Sequence, residues 1–167
     1  MKKCISLVLL LTLLITACGC GGASPGTGEY HYYIGGEKPK QQDYSGQIIS
    51  FVYRFEQELG PSGRFELIKD NDAAILRVWK DYYHEGDEPY ERRVDLSALQ
   101  DLKELIDRSG LAQYHGIVQD SGITIHSSFL LEVKYDNGAE LLTYGDHYPN
   151  AHDELSAFFM RLTAQYN

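Results

Sequence analysis

The stretch Phe129-Leu130-Leu131-Glu132-Val133-Lys134-Tyr135-Asp136-Asn137-Gly138-Ala139-Glu140-Leu141-Leu142-Thr143-Tyr144 decides the fold. Phe129, Leu131, Val133 and Tyr135 recur at every second position, the period of a strand with one buried face. Asn137-Gly138 is the strongest short hairpin signal, because a type I′ turn needs positive φ at both central positions. A two-residue turn sets Val133 opposite Leu142 and Leu131 opposite Tyr144, all on one face. A three-residue loop would oppose Leu131 to Thr143 instead, so the two-residue turn is expected. A sheet with one apolar face needs a second layer to cover it.

Two helices can supply that layer. Ser97 and Gln100 form a capping box, in which each side chain meets an orphan backbone N–H. Leu99, Leu102, Leu105 and Ile106 then make an apolar stripe at helical spacing. Gly110 stands where a left-handed C-cap is wanted, and Leu111 is placed to touch Ile106. After the hairpin, Asn150 follows Pro149 as an N-cap, and Asp153 and Glu154 suit the positive end of a helix dipole. Leu155, Phe158, Phe159 and Leu162 form the second stripe.

Strands precede the first helix. Ile49, Phe51, Tyr53 and Phe55 sit at period two. Gly60-Pro61-Ser62-Gly63 reads as a turn, Arg64–Lys69 as a strand and Asp70-Asn71-Asp72 as a tight connection. Ala73–Tyr83 is a third strand whose centre, Ile75–Trp79, is apolar on both faces. Tyr90–Leu96 is a fourth, with Arg92 interrupting the face of Tyr90, Val94 and Leu96. Residues 112–126 read as two turns around a short strand. The sum is an α+β fold: an antiparallel sheet of about six strands with two helices packed on one face.

The N-terminus carries a different signal. Lys2 and Lys3 precede an apolar run from Ile5 to Ile15. As a helix it would rise about 16 Å, against the ~30 Å of a bilayer core, so it suits a signal peptide better than a membrane span. The sequence Ile15-Thr16-Ala17-Cys18 resembles the lipobox of bacterial lipoproteins. That resemblance implies a diacylglycerol on the Cys18 thiol, further acylation such as palmitate, and cleavage just before Cys18. It implies a cell-membrane or outer-membrane location, with the domain outside the cytoplasm. Residues 1–17 are then the signal peptide, 18–45 a lipidated flexible tether and 46–167 one α+β domain. The stretch from Gly19 to Tyr44 is too poor in aliphatic residues to offset the cost of ordering. Tyr30-His31-Tyr32-Tyr33-Ile34 is the exception, a short segment expected to dock on the domain. From Leu96 onward the chain runs from a capped Leu-rich helix through a Gly turn and the hairpin to Gly145-x-x-x-Pro149 and a closing helix. That cadence resembles uncharacterised bacterial surface lipoproteins, and it implies a fold without implying an activity.

Loss of the signal peptide leaves 150 of the 167 residues and takes the formal charge from −9 to −11. Such a chain is repelled by phosphate backbones, so nucleic acid is not an expected partner. Cys20 is the one remaining thiol besides Cys18, and it lies in the tether. The domain therefore has no disulfide and no cysteine nucleophile.

Few residues promise chemistry. His147 and His152 are candidate zinc ligands, but no HExxH is present, and they read more simply as loop and cap residues. Ser121 and His126 could enter a triad only by chance, and G-x-S-x-G is absent. Glu85, Asp87, Glu88 and Glu91 read as a solvated edge. No cofactor is expected. Thirteen tyrosines stand against six Phe and one Trp. Tyr stacks on sugars and peptides while its hydroxyl stays wet, so Tyr82, Tyr83 and Tyr90, flanking one loop, are candidate binding residues. The same residues also suit a half-exposed sheet. The expectation is a non-catalytic binding or structural accessory domain, with the bare sheet face or the Tyr82–Tyr90 loop as its surface. A glycan- or peptide-binding module is the first alternative and a small metal-dependent hydrolase the second.

Overall fold

The computed structural model describes residues 30–57, 62–79, 86–120, 127–146 and 149–165. The expected signal peptide, Cys18 and Cys20 lie outside these residues. The strands are β1 (Tyr30–Tyr33), β2 (Ile48–Gln57), β3 (Gly63–Asp70), β4 (Ala73–Trp79), β5 (Tyr90–Asp95), β6 (Ile117–Asp120), β7 (Ser127–Tyr135) and β8 (Glu140–Gly145). The helices are α1 (Ser97–Ser109) and α2 (His152–Gln165). All eight strands form one sheet in the order β1-β6-β8-β7-β2-β3-β4-β5. The fold is α+β as expected, with seven strands from the domain where about six were read, and an eighth from the N-terminal segment. The sheet is mixed, not purely antiparallel: β6 runs parallel to β8 at Val118↔Tyr144 and Gln119↔Gly145. A short helical turn, Leu111–Tyr114, carries the chain from α1 to β6.

The β7–β8 hairpin takes the three-residue loop, correcting the register expected from Asn137-Gly138. Leu131 faces Thr143 and Val133 faces Leu141. Tyr135 N–H donates to Ala139 O at 3.0 Å, and Gly138 N–H donates to Tyr135 O at 3.1 Å. Gly138 has φ 84°, while Asn137 stays at negative φ. This is a type I turn closed by a left-handed residue, the usual three-residue hairpin loop. Neighbours select it: Asn137 Oδ1 accepts from Ala139 N–H, and Asn137 Nδ2 donates to Asp43 O. The buried face is therefore Phe129, Leu131, Val133 and Tyr135 with Leu141 and Thr143. Thr143 satisfies its buried hydroxyl on Ile117 O at 2.8 Å.

A second one-residue effect lies in β2. The ladder to β7 pairs Ile48 with Tyr135 and Ser50 with Lys134, leaving Ile49 extra. This bulge turns Ile48 to the core at 1% exposure beside Phe51 and Tyr53, in place of Ile49. β3 adds Phe65 and Leu67, β4 adds Ala74, Leu76 and Val78, and β5 adds Val94.

Both helices pack on this one face. Leu99, Leu102, Leu105 and Ile106 of α1 and Leu155, Phe158, Phe159 and Leu162 of α2 are buried as their spacing predicts. Phe159 stacks on Phe65 with ring centroids 4.7 Å apart and on Phe51 at 5.3 Å. Gly110 closes α1 at φ 69°, its N–H donating to Asp107 O. The N-termini differ from expectation. Leu96, not Ser97, stands at the start of α1 without a side-chain cap, and its carbonyl takes Leu99 N–H at 3.1 Å. α2 begins at His152, so the N-cap position falls on Ala151 and not on the expected Asn150, and Pro149 O accepts from His152 N–H. Among the described residues no helix is long and apolar enough to cross a membrane.

The N-terminal segment is fastened to the sheet over more than Tyr30–Ile34. β1 pairs antiparallel with β6, and Ile34 N–H donates to Gly116 O at 2.7 Å. Further on, Gln42 Oε1 accepts from Glu140 N–H at 2.7 Å, and Gln47 and Asp136 exchange two hydrogen bonds of 2.9 Å. Tyr44 packs on Tyr135 with centroids 5.4 Å apart. Residues 30–47 thus form a strap around β6, β8 and the hairpin turn. Aromatic and amide side chains hold it where aliphatic ones are scarce.

Candidate functional site

The helices cover one face of the sheet, and among the described residues no helix covers the other, called the bare face below. Register fixes what the bare face presents. One row across the strands reads Trp79, Arg64, Arg54, Leu130, Tyr144 and Val118 from β4 to β6. The next reads Glu91, Arg77, Glu66, Val52, Glu132 and Leu142 from β5 to β8. Tyr144 is 38% exposed, which places its ring at the surface of this face.

The charges on these rows are paired. Arg54 bonds Glu56 two residues on, and Arg64 bonds Glu66 in the same way. Arg77 Nε donates to Glu91 at 2.7 Å, and its Nη1 lies 3.5 Å from Glu66. The hydrogen bond to Glu91 holds the Arg77 guanidinium above its ordinary pKa. Glu66 is only 5% exposed although it belongs to the solvent side of the sheet. Two flanking guanidiniums cover it, so burial is compensated by charge-assisted hydrogen bonds.

Trp79 borders a depression on this face. Its Nε1 donates to Asp87 O at 2.7 Å, which pins the 86–89 loop as a wall. The Arg64 guanidinium sits 5.0 Å from the indole centre, a cation–π arrangement. The depression has a volume of about 500 Å³ and is floored by Arg64, Glu66 and Arg77. It is shallow and open to solvent. It sets hydrogen-bond donors and acceptors, held by ion pairs, beside an aromatic ring.

The expected site residues fall unevenly. Tyr90 is half-buried on edge strand β5, with the Arg92 guanidinium 5.0 Å from its ring. Tyr82, Tyr83 and His147 lie outside the described residues, as do Ser121 and His126. His152 is set against the core: Tyr53 Oη lies 2.6 Å from its Nδ1, and the Phe55 ring stands edge-on at 5.0 Å. Burial holds this imidazole below its ordinary pKa, partly opposed by Asp153. Among the described residues no three His, Cys, Asp or Glu side chains converge as metal ligands would. A second histidine, His115, holds the strap: Leu142 N–H donates to its Nδ1 at 3.2 Å, and its Nε2 lies 2.8 Å from Gln42 Nε2.

Sequence reasoning missed Trp79, Arg64, Glu66, Arg77 and Tyr144. Reading Ile75–Trp79 as apolar on both faces hid the alternation that sends Arg77 and Trp79 to the bare side. The usable signal was the repeated Arg-x-Glu of Arg54–Glu56 and Arg64–Glu66, which places paired charges on one face of two adjacent strands. Compared with protein-family models, curated proteins and solved structures, the chain matches none.

Proposed function

We propose that this chain is a lipid-anchored surface protein whose domain is a non-catalytic binding module, working through the bare face of its sheet. The observation that carries the reading is the asymmetry of the two faces. One is sealed by α1 and α2, while the other holds Trp79 and Tyr144 among pre-oriented ion pairs. Fixed side chains lower the ordering cost of binding. A hydrolase at His147 and His152 is the weaker reading, since His152 Nδ1 is engaged by Tyr53. The anchor rests on the lipobox-like Ile15-Thr16-Ala17-Cys18, and two or more acyl chains would hold the protein stably to a bilayer.

Two measurements test this. Intact mass of protein extracted from its native membrane should start at Cys18 with a diacylglycerol attached, and Cys18→Ser should lose the lipid. A processed chain without lipid would refute the anchor. Amide shift mapping of the ¹⁵N-labelled chain against native envelope extract should perturb β2, β3, β4 and β8. Perturbation confined to α1 and α2 would refute the face.

A further inference from the structure

We infer that the ligand of the bare face is an extended, neutral, hydroxyl-rich chain: an uncharged linear oligosaccharide. This deepens the binding reading above and rests on it. Three observations point to the class.

The first is charge. Arg54, Arg64, Arg77 and Lys134 are matched by Glu56, Glu66, Glu91 and Glu132, so the formal sum over these eight side chains is zero. A polyanion would have to break these pairs and approach a mature chain of formal charge −11. A polycation would find the four carboxylates already engaged. Hydroxyls do neither harm: each can donate to a carboxylate and accept from a guanidinium while the ion pair persists.

The second is shape. Trp79 on β4 and Tyr144 on β8 stand four strand spacings apart in one register row, about 19 Å at ~4.8 Å per strand. Between them the row offers two planar guanidiniums and Leu130. A ligand following the row crosses the strands at right angles and meets a ring at each end. Sugar rings present apolar C–H faces to such platforms and hydroxyl edges to the flanking polar groups, as amphipathic aromatic sites require.

The third excludes a peptide. The middle of a sheet face presents side chains only, because its backbone N–H and C=O groups are spent in the ladders. An extended peptide would gain no main-chain partners there, and it docks by preference at an edge.

The test is affinity electrophoresis of the full mature chain in mild detergent. Gels are cast with soluble β-glucan, galactomannan or arabinoxylan, and separately with anionic polygalacturonate. The expected result is retardation by at least one neutral polymer and none by polygalacturonate. Tyr144→Ala and Arg54→Ala should each weaken retardation about threefold to tenfold, the worth of one stacking contact. Gln100→Ala on the exposed side of α1 should leave it unchanged. Tyr144 is exposed, so its truncation leaves the core intact. Retardation by polygalacturonate alone, by no polymer, or equally in all three variants overturns the inference. If envelope extract still perturbs the bare-face amides in that case, the ligand class fails and the face stands. If those amides are also silent, both fail.

Discussion

Replacing Gly116 by alanine tests whether the strap belongs to the folded unit. Gly116 has φ 71°, and a Cβ built on it would lie 2.6 Å from Pro39 Cγ and 2.8 Å from Pro39 Cβ. Gly110 is the internal control. It has φ 69°, but its Cβ would meet nothing nearer than Gln113 Nε2 at 3.5 Å. Alanine at positive φ costs about 1 kcal/mol in both places. Gly116→Ala adds the overlap with Pro39, and forced overpacking costs about 1–3 kcal/mol more. The expected losses are therefore about 1 kcal/mol for Gly110→Ala and about 2–4 kcal/mol for Gly116→Ala. In urea, with m about 2 kcal/mol/M, the midpoints fall by about 0.5 M and about 1–2 M. Removing the obstacle should restore the difference, so in a Pro39→Gly background Gly116→Ala should cost only about 1 kcal/mol. Equal losses for the two glycine variants, or no relief from Pro39→Gly, would refute the packing of residues 37–47 against β6 and β8.

Acid should destabilise the fold through two histidines, His115 and His152, that are partly buried. Burial lowers the pKa of both His115 and His152 in the folded state. The unfolded chain therefore takes up protons first as pH falls through about 6.5, and stability declines from there until the folded pKa values are passed. The urea midpoint should be lower at pH 5 than at pH 7.5, with a shallower drop in His152→Gln; a midpoint that rises on acidification refutes the assignment. Phe159→Ala should cost about 3–5 kcal/mol, because the ring stacks between Phe65 and Phe51, whereas Met160→Ala, 48% exposed, should stay within about 0.5 kcal/mol. Comparable melting losses for the two would mean α2 presents a different face. Cys18→Ser should release the protein from the membrane fraction, as a chain that remains there is held by something other than the proposed lipid.

What was legible follows from which signals are local. The stripes of α1 and α2 and the stop at Gly110 are single-element properties, and the structure realises them residue for residue. Tyr30–Ile34 stood out because aromatic residues break the polar composition of the stretch around it. Registers were lost where distant residues decide. Asn137 is held by Asp43, nearly a hundred positions earlier, and that bond is invisible to any reading of the Asn-Gly pair. The bulge at Ile49 is likewise set by pairing with β7. The candidate site suffered most, because Trp79, Arg64 and Tyr144 share a row only through strand order, and hydrophobicity patterns leave strand order undetermined. Tyr90 was found because it is near in sequence to other tyrosines, yet it lies on the edge strand, off that row.

Strand order also orients the proposed ligand track relative to the proposed anchor. β1, the first described element after Cys18, occupies one edge of the sheet, and Trp79 lies six strand spacings away, about 29 Å. Residues 18–29 can reach at most about 40 Å. With the strap fastened, the Trp79 depression sits at the end of the sheet remote from β1, on which the proposed anchor would attach. With the strap released, the domain would hang from Gln47 and lose that orientation. Gly116→Ala should then separate two quantities that most binding-site variants move together. Affinity of the detergent-solubilised chain for a soluble oligosaccharide should be unchanged, because Gly116 lies off the Trp79–Tyr144 row and meets the face only through its N–H bond to Leu142 O. Retention of vesicles carrying the lipidated chain on an immobilised neutral polysaccharide should fall, because fewer domains present the track outward. Equal losses in both assays would place the Gly116 effect in the binding face itself, and undiminished retention would show that the strap contributes stability without orienting the domain.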